Sequence, residues 1–207
     1  MPLEYEQSLY SDDIHLIVGC DEAGRGCLLG PVYAGAVILP KDFVSPLIND
    51  SKKLSEKQRE KAYQIIVESA IAFGVGFCTP EEIDKINILN ASRLAMERAI
   101  KNMNHHYDLI ITDYMKMPNA SKPVISLVHG DAKAQCVAAA SILAKVTRDH
   151  VCYELDKQYP SYHIAQNKGY GTKDHLQALD DNGPIIGLHR YSYAPVQASR
   201  IKKIKLL

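Results

Sequence analysis

The stretch that decides the fold is HLIVGCDEAGRGCLLGPVYAGAVILP, residues His15 to Pro40. It contains two apolar runs, Leu16–Cys20 and Val32–Leu39, which predict two neighbouring β-strands. The adjacent acids Asp21 and Glu22 follow the first run and lead into a glycine-rich loop. Because successive strand side chains point to opposite faces, the two acids can converge on one ion only if the strand turns there, and the following glycines permit such a turn.

Three interpretations of this loop compete. The first is a hairpin turn with solvated acids. The second is a dinucleotide-binding loop built on Gly24, Gly26 and Gly30, but that motif needs a helix directly after the glycines, and the residues that follow are rich in β-formers. The third is a carboxylate metal site beside a backbone that a ligand can approach closely.

Composition describes an ordinary globular protein. The chain has 207 residues, of which 46% are apolar and 23% charged, so one compact domain is expected, with a leader at about 1–13 and a C-terminal helical and basic extension at about 172–207. The formal net charge is zero. Any surface that binds phosphate must therefore be local, and the basic stretch from Arg200 to Lys205 is either a solvated tail or such a contact.

The cysteines and the termini indicate a cytoplasmic protein. The cysteines are odd in number and lack CxxC spacing, which favours buried free thiols over zinc ligation. The N-terminal residues are polar and acidic, unlike a signal peptide, and no apolar run approaches the roughly 20 residues of a membrane span. We expect a monomer without a membrane partner.

Two capping boxes predict helices. Ser55 to Gln58 has the S-x-x-Q pattern, and Thr79 to Glu82 combines a cap, a proline and an acid before a helix that should reach about Ile100. Between them, Phe73–Phe77 alternates glycine with larger residues and predicts a strand against which something packs closely. A last helix should begin after Thr172.

Two further acids sit at element ends. Asp113 follows the apolar strand Leu109–Ile111, and Asp131 is placed to cap a long helix that runs toward Tyr159. Asp108 precedes its strand and is a poor substitute. Carboxylates without histidine or cysteine ligands suit a hard cation such as Mg²⁺ or Mn²⁺. The alternative for Asp131 is a purely structural helix cap.

Several motifs resemble segments of ribonuclease HII, in that family's order. They are DEAGRG at 21–26, DSKKL at 50–54, NILNAS at 87–92, GDAKAQCVAAASILAKVTRD at 130–149 and NKGYGT at 167–172. The resemblance implies an α/β, RNase H-like fold with a mixed central β-sheet flanked by helices and a small C-terminal helical extension. It also implies that Asp21, Glu22, Asp113 and Asp131 are catalytic and hold two Mg²⁺ or Mn²⁺ ions. Asp113 lies in TDYMKMP, a variant of a family motif in which Gly or Ala commonly follows the acid.

The resemblance also implies residues that bind substrate. Gly24, Arg25 and Gly26 would sense the ribose 2′-OH through their backbone, and Tyr170 would pack on the sugar; Tyr162 is the rival tyrosine, in a context that suggests loop packing. Candidates for phosphate contacts are Ser51, Lys52 and Lys168, with Lys53, Lys145, Arg148 and Lys173. For each cation alone a solvated surface position is the alternative, and for Ser51 it is a turn.

The implied activity is that of an endoribonuclease. It would hydrolyse the phosphodiester 5′ of ribonucleotides in RNA–DNA hybrids or embedded in duplex DNA, leaving a 3′-hydroxyl and a 5′-phosphate, in DNA repair and replication. Two alternatives remain: a non-catalytic nucleic-acid-binding module on the same fold, and a hybrid nuclease with little preference for junctions.

Overall fold

A five-stranded mixed sheet forms the centre of the molecule. The structure, a computed structural model, describes the backbone of residues 2–205 and the side chains of residues 4–201. The strands are β1 (Ile17–Ala23), β2 (Val32–Ile38), β3 (Ala72–Cys78), β4 (Leu109–Asp113) and β5 (Val124–Leu127), in the order β3-β2-β1-β4-β5. The β1–β2 and β2–β3 pairs are antiparallel, whereas β1–β4 and β4–β5 are parallel.

Eight α-helices surround or extend this sheet in the described part of the chain. They are α1 (Pro2–Gln7), α2 (Glu56–Ser69), α3 (Pro80–Met103), α4 (Gly130–Lys133), α5 (Gln135–Gln158), α6 (Ile164–Asn167), α7 (Lys173–Asn182) and α8 (Ala194–Lys205), with a 3₁₀ turn at Pro160–Tyr162. Both predicted capping boxes are confirmed, at Ser55 and Thr79, and Thr172 caps α7. In α3, Asn87 has a φ of 63°, so the helix is kinked there.

Glycines let the two long helices lie close to opposite faces of the sheet. A Cβ on Gly74 or Gly76 would come within 2.3 Å of carbonyl oxygens of α3, which confirms the expected close packing on this strand. On the other face, a Cβ on Gly19 or Gly35 would overlap the backbone of α5, which packs there together with α2. Each face therefore has its own apolar core.

The start of α5 differs from its predicted form. The sequence predicted one continuous helix from Asp131, but the chain leaves the helical conformation at Ala134, where φ is −133°, and α4 and α5 are separate. The backbone N–H of Cys136, in the first turn of α5, donates a 3.0 Å hydrogen bond to the buried carboxylate of Glu6. A helix of the N-terminal leader thus supplies the acid that caps α5.

The C-terminal helices pack against the loop that follows the first two acids. Leu29 is buried with Tyr162, Ile164 and Ala178, and Leu28 is buried with residues of α7 and α8. Tyr162 is therefore a packing residue, as its context suggested, and its hydroxyl donates to the carbonyl of Gly183. No helix within the described residues is long and apolar enough to span a membrane.

All five cysteines are free and buried, as the sequence predicted.

Candidate active site

Three of the predicted acids, Asp21, Glu22 and Asp113, line one cavity where β1 and β4 end. The last paired residues of these parallel strands are Cys20 and Thr112, so Asp21 and Asp113 follow side by side. The sequence analysis allowed the two acids of β1 to converge on one ion only if the strand turned there, and the strand does not turn. The strand continues to Ala23, and Asp21 and Glu22 both remain paired with β2. The side chains of Asp21 and Glu22 reach one cavity because β4 no longer pairs with β1 beyond Cys20, which leaves that edge of β1 free.

Asp131 lies near these acids but is not a helix N-cap. The residue at the cap position of α4 is His129, and Asp131 lies in the first turn that follows. The carboxylate of Asp131 is buried and lies 3.9 Å from the Nζ atom of Lys52. The neighbouring Gly130 donates its backbone N–H to Asp113 at 2.8 Å, which ties the start of α4 to the end of β4.

A chain of hydroxyl groups lies beside Asp21. Its Oδ1 atom accepts the backbone N–H of Glu22 at 2.8 Å, and Ser141 of α5 lies near enough to its carboxylate to lower its pKa. Ser141 in turn lies 3.0 Å from the hydroxyl of Ser51, which is buried. Ser51 and the serine of the AAAS run therefore lie beside an acid, a placement that their sequence context did not reveal.

Burial and mutual repulsion raise the pKa values of the acids in this cluster. Burial raises the pKa of Asp21 well above its ordinary value, and the charges of Glu22 and Asp113 raise it further. The pKa of Asp131 is raised by burial and then by Asp113. Burial likewise raises the pKa of Glu22, although Arg25 at 3.2 Å opposes this.

This donor set fits a hard divalent cation. The Oε2 atom of Glu22 is buried without a hydrogen-bond partner, and crowded carboxylates are stabilised by a bound cation. As they stand, no three acidic, histidine or cysteine side chains of residues 4–201 converge closely enough to hold an ion. That Asp21, Glu22, Asp113 and Asp131 bind a metal ion stays a prediction.

The cavity beside the acids has a volume of about 370 Å³. Its lining includes most of the predicted site residues, namely Asp21, Glu22, Asp113, Gly24, Arg25, Gly26, Ser51, Lys52 and Tyr170, together with Ala23, Arg59, Ser141 and Lys145. Asp131 borders it through Lys52. Arg59 was not predicted from the sequence; its Nη1 atom donates to the carbonyls of Ser51 and Leu54 and so fixes the turn that carries Lys52.

A buried arginine from the C-terminal extension fixes the glycine-rich loop. Arg190 is fully buried and donates to the carbonyl oxygens of Gly24 at 2.7 Å, Arg25 at 2.8 Å and Gly30 at 2.8 Å and 3.0 Å. The Tyr193 hydroxyl donates to Arg25 as well, at 2.6 Å. These hydrogen bonds hold the carbonyls of Gly24, Arg25 and Gly30 from behind and so fix the backbone of the loop beside the cavity.

Arg148, a candidate for a phosphate contact, is buried and was wrongly expected at the surface. Its side chain is 2% exposed, donates to the carbonyl of Leu29 at 3.2 Å and lies 6.0 Å from the ring of Tyr170. A Cβ on Gly24 would come within 2.3 Å of its Nε atom. Arg148 therefore supports the loop and the tyrosine from below, while Tyr170 itself is 43% exposed toward the cavity.

The remaining cations divide between the cavity and other partners. Lys52 and Lys145 line the cavity, the latter with its Nζ atom 2.7 Å from Asp149. Lys168 does not line it, because its Nζ atom lies over the ring of Tyr153 at 3.7 Å. Lys53 pairs with Asp50, 3.8 Å away, and Lys173 is exposed at the start of α7. In the basic tail, the side chains beyond residue 201 lie outside the described residues.

Comparison with known proteins gives consistent results. The sequence profile described as Ribonuclease HII matches residues 18–196. Ribonuclease HII of Desulfitobacterium hafniense is 49% identical over 195 residues, which cover 94% of this chain and 75% of that protein.

Solved structures agree at the level of the fold. The ribonuclease H2 of Pyrococcus horikoshii OT3 superposes with a TM-score of 0.78 at 24% identity, over 92% of this chain and 99% of that one. Bst-RNase HIII in complex with Mn²⁺ gives a TM-score of 0.69 at 15% identity, over 92% of this chain and 70% of that one. The sheet order, the extent of the profile match and the sequence identity together place this chain in the ribonuclease HII family, which makes it an enzyme of the ribonuclease H class.

Proposed function

We propose that this protein cuts the strand at ribonucleotides, either in RNA–DNA hybrids or embedded in duplex DNA, on the 5′ side of the ribonucleotide. Its role would be ribonucleotide removal in DNA repair and replication. The observation that carries this proposal is one cavity that joins buried carboxylates to the loop of residues 24–26 and to Tyr170. Acids that suit a phosphodiester-cleaving metal site thus lie beside groups that suit recognition of a sugar.

Asp21, Glu22, Asp113 and Asp131 would hold the divalent ions on which this family depends, Mg²⁺ or Mn²⁺. When bound, a pair of such ions supplies the acidity that makes water a nucleophile and the charge that stabilises a leaving oxygen. The family and the donor chemistry support this assignment, because oxygen-only ligands at element ends suit these hard cations and substrate phosphates complete their coordination.

The chain's own residues orient the acids. The backbone N–H of Glu22 holds the Asp21 carboxylate, with the Ser141 hydroxyl nearby, and the backbone N–H of Gly130 holds Asp113. Lys52, whose side chain is 80% exposed and 3.9 Å from Asp131, can meet a phosphate oxygen at the rim of the cavity. In the reaction a water oxygen bonds to phosphorus, and the bond from phosphorus to the 3′ oxygen of the preceding nucleotide breaks. The products are a 3′-hydroxyl and a 5′-phosphate on the ribonucleotide.

Recognition of the ribonucleotide rests on the 2′-OH. At Gly26, where a Cβ would meet only the Tyr170 ring at 3.7 Å, the backbone of the loop is open to close approach. Gly24, with a φ of 93°, instead makes room for Arg148 beneath the loop. A site that hydrogen-bonds a hydroxyl strongly penalises a substrate that lacks it, because its polar groups are then left unpaired. The 2′-OH is the group that distinguishes RNA from DNA at one position.

The test is the cleavage pattern on three matched duplexes: one with a single ribonucleotide, one with a 2′-fluoro nucleotide at the same position, and one of DNA alone. We expect a nick directly 5′ of the ribonucleotide, with 3′-hydroxyl and 5′-phosphate ends, and no cut in the other two. Cleavage of a uniform RNA–DNA hybrid with none at a single ribonucleotide would instead indicate a general hybrid nuclease. Binding without cleavage of either would indicate a non-catalytic module.

A further inference from the structure

A second cavity opens next to the candidate active site. It has a volume of about 350 Å³ and is lined by Arg25, Leu89, Arg93, Tyr114, Met115, Lys116, Ser126 and Val128. Arg25 lines both cavities, so the surface is continuous from the carboxylates into this second cavity. The chain enters it directly after Asp113, at the end of β4.

Tyr114 is placed in this cavity at a conformational cost. Its φ is 56°, a left-handed conformation that a bulky residue rarely adopts, and its side chain is 73% exposed. Its backbone N–H donates to the carbonyl of Leu127 at 2.7 Å, so the turn is held firmly. Because an exposed ring gains little by burial within the chain, the ring is available to a ligand. Leu89 and Val128, also about half exposed, extend the apolar surface.

The charge of this cavity complements a polyanion. Its lining, among the described residues, contains the cations Arg25, Arg93 and Lys116 and no acid. Arg93 is held in place, since its Nε atom donates to the Lys116 carbonyl at 2.8 Å and its Nη1 atom to Asn90 at 2.9 Å. An aromatic ring among cations is the combination by which proteins bind a nucleic-acid strand without reading its sequence.

We propose that this second cavity is a subsite for the nucleic-acid strand that continues away from the scissile phosphate. Arg25, Arg93 and Lys116 contact its phosphates, and Tyr114 stacks on a sugar or base that lies beyond the cleaved position. The inference rests on the proposed function and adds to it: affinity for the duplex would depend on nucleotides that take no part in the chemistry.

The test compares Tyr114→Gly with Tyr114→Phe on duplexes that carry one ribonucleotide and are shortened stepwise from either end. Glycine accepts a φ of 56° without strain, so Tyr114→Gly removes the ring while easing the fold. On long duplexes we expect KM to rise at least fivefold with kcat nearly unchanged, as for loss of one stacking contact. Tyr114→Phe keeps the ring and should retain most of the binding. Ile186→Gly, at a residue 87% exposed elsewhere, should behave as wild type.

Shortening supplies the decisive comparison. Wild-type KM should rise when the duplex becomes too short on one side to reach the cavity, and on those short duplexes Tyr114→Gly should match wild type. Equal KM values for Tyr114→Gly and wild type on long duplexes would overturn the subsite, as would an equal loss at every length. Failure of the wild-type enzyme to cut any of these duplexes would overturn the proposed function instead.

Discussion

Replacing Arg190 with methionine tests whether the C-terminal extension positions the glycine-rich loop. Arg190 lies far along the chain from residues 24–30 and makes four hydrogen bonds to three of their carbonyls, at 2.7–3.0 Å. Methionine has a similar length and no donor. Arg190→Lys is the matched variant that keeps the charge, but an ammonium cannot reproduce the planar fork that reaches three carbonyls together.

The expected effect follows from those contacts. A buried carbonyl left without a donor costs about 1–3 kcal/mol. Burial lowers the pKa of Arg190, because the buried site disfavours its charge. Methionine is neutral and removes this cost of burying a charge, which offsets part of the loss. We therefore expect a net loss of about 2–4 kcal/mol in the free energy of unfolding for Arg190→Met. A small displacement of a positioning group can reduce rates on the order of 100-fold, and we expect that loss in kcat/KM on a single-ribonucleotide duplex.

The assay combines urea unfolding with cleavage kinetics at a temperature where every variant is folded. Lys157→Met serves as control, because Lys157 is an exposed cation whose ion pair with Glu154, at 2.7 Å, lies on the surface. Arg190→Lys should fall between Arg190→Met and wild type. If Arg190→Met, while folded, cleaves at the wild-type rate, the loop does not depend on this arginine and the argument fails.

Three further predictions concern the acids, the loop and a buried histidine. Asp21→Asn should abolish cleavage without lowering the urea midpoint, because it removes a buried charge that its neighbours repel and keeps the oxygen that accepts a backbone N–H; a clearly lower midpoint would contradict this. Gly24→Ala, whose Cβ would overlap Arg148, should lower the free energy of unfolding by about 1–3 kcal/mol. Gly26→Ala, whose Cβ would lie 3.7 Å from its nearest neighbour, should leave it unchanged, and urea unfolding of both variants measures the difference. Burial lowers the pKa of His189 to about 3, so the unfolded state takes up the proton first as the pH falls below about 6.5. Stability relative to His189→Asn should therefore decline from pH 7 to 5, by at most about 1.4 kcal/mol per unit, and a pH-independent difference would refute the assignment.

Local patterns predicted the elements of this fold well. Capping boxes at Ser55 and Thr79 gave two helix starts, because a cap is a local contact between residues three apart. The alternating glycines of Phe73–Phe77 correctly indicated close packing, because a strand face that carries only glycines leaves room for the backbone of a neighbouring element. The mixed sheet flanked by helices was predicted from the family motifs, because no single helix or strand determines how the elements are arranged.

What the sequence could not predict depends on partners distant in the chain. Arg148 was expected at the surface because arginines usually are, yet it is buried beneath Gly24. Arg190 sits in HRYSY, which has no periodic pattern, and its partners lie about 160 residues away. Asp131 was expected at the N-terminal cap of one long helix, but that segment is two helices, with His129 at the cap position of α4 and Glu6 of the leader capping α5. Hydrogen bonds between residues so far apart in the chain cannot be predicted from the spacing of residues within a motif.

The most direct test of a carboxylate metal site is to titrate Mn²⁺ into the wild-type protein and into Asp21→Asn and to measure binding by calorimetry. Cleavage of a duplex with one ribonucleotide is then measured for the same proteins. Glu154→Gln, which removes an exposed acid paired only with Lys157 among the ion pairs of the described chain, controls for overall charge. We predict Mn²⁺ binding and metal-dependent cleavage for wild type and Glu154→Gln, and the loss of both for Asp21→Asn. Unchanged Mn²⁺ affinity in Asp21→Asn, or cleavage by wild type in EDTA, would contradict a carboxylate metal site at the end of β1.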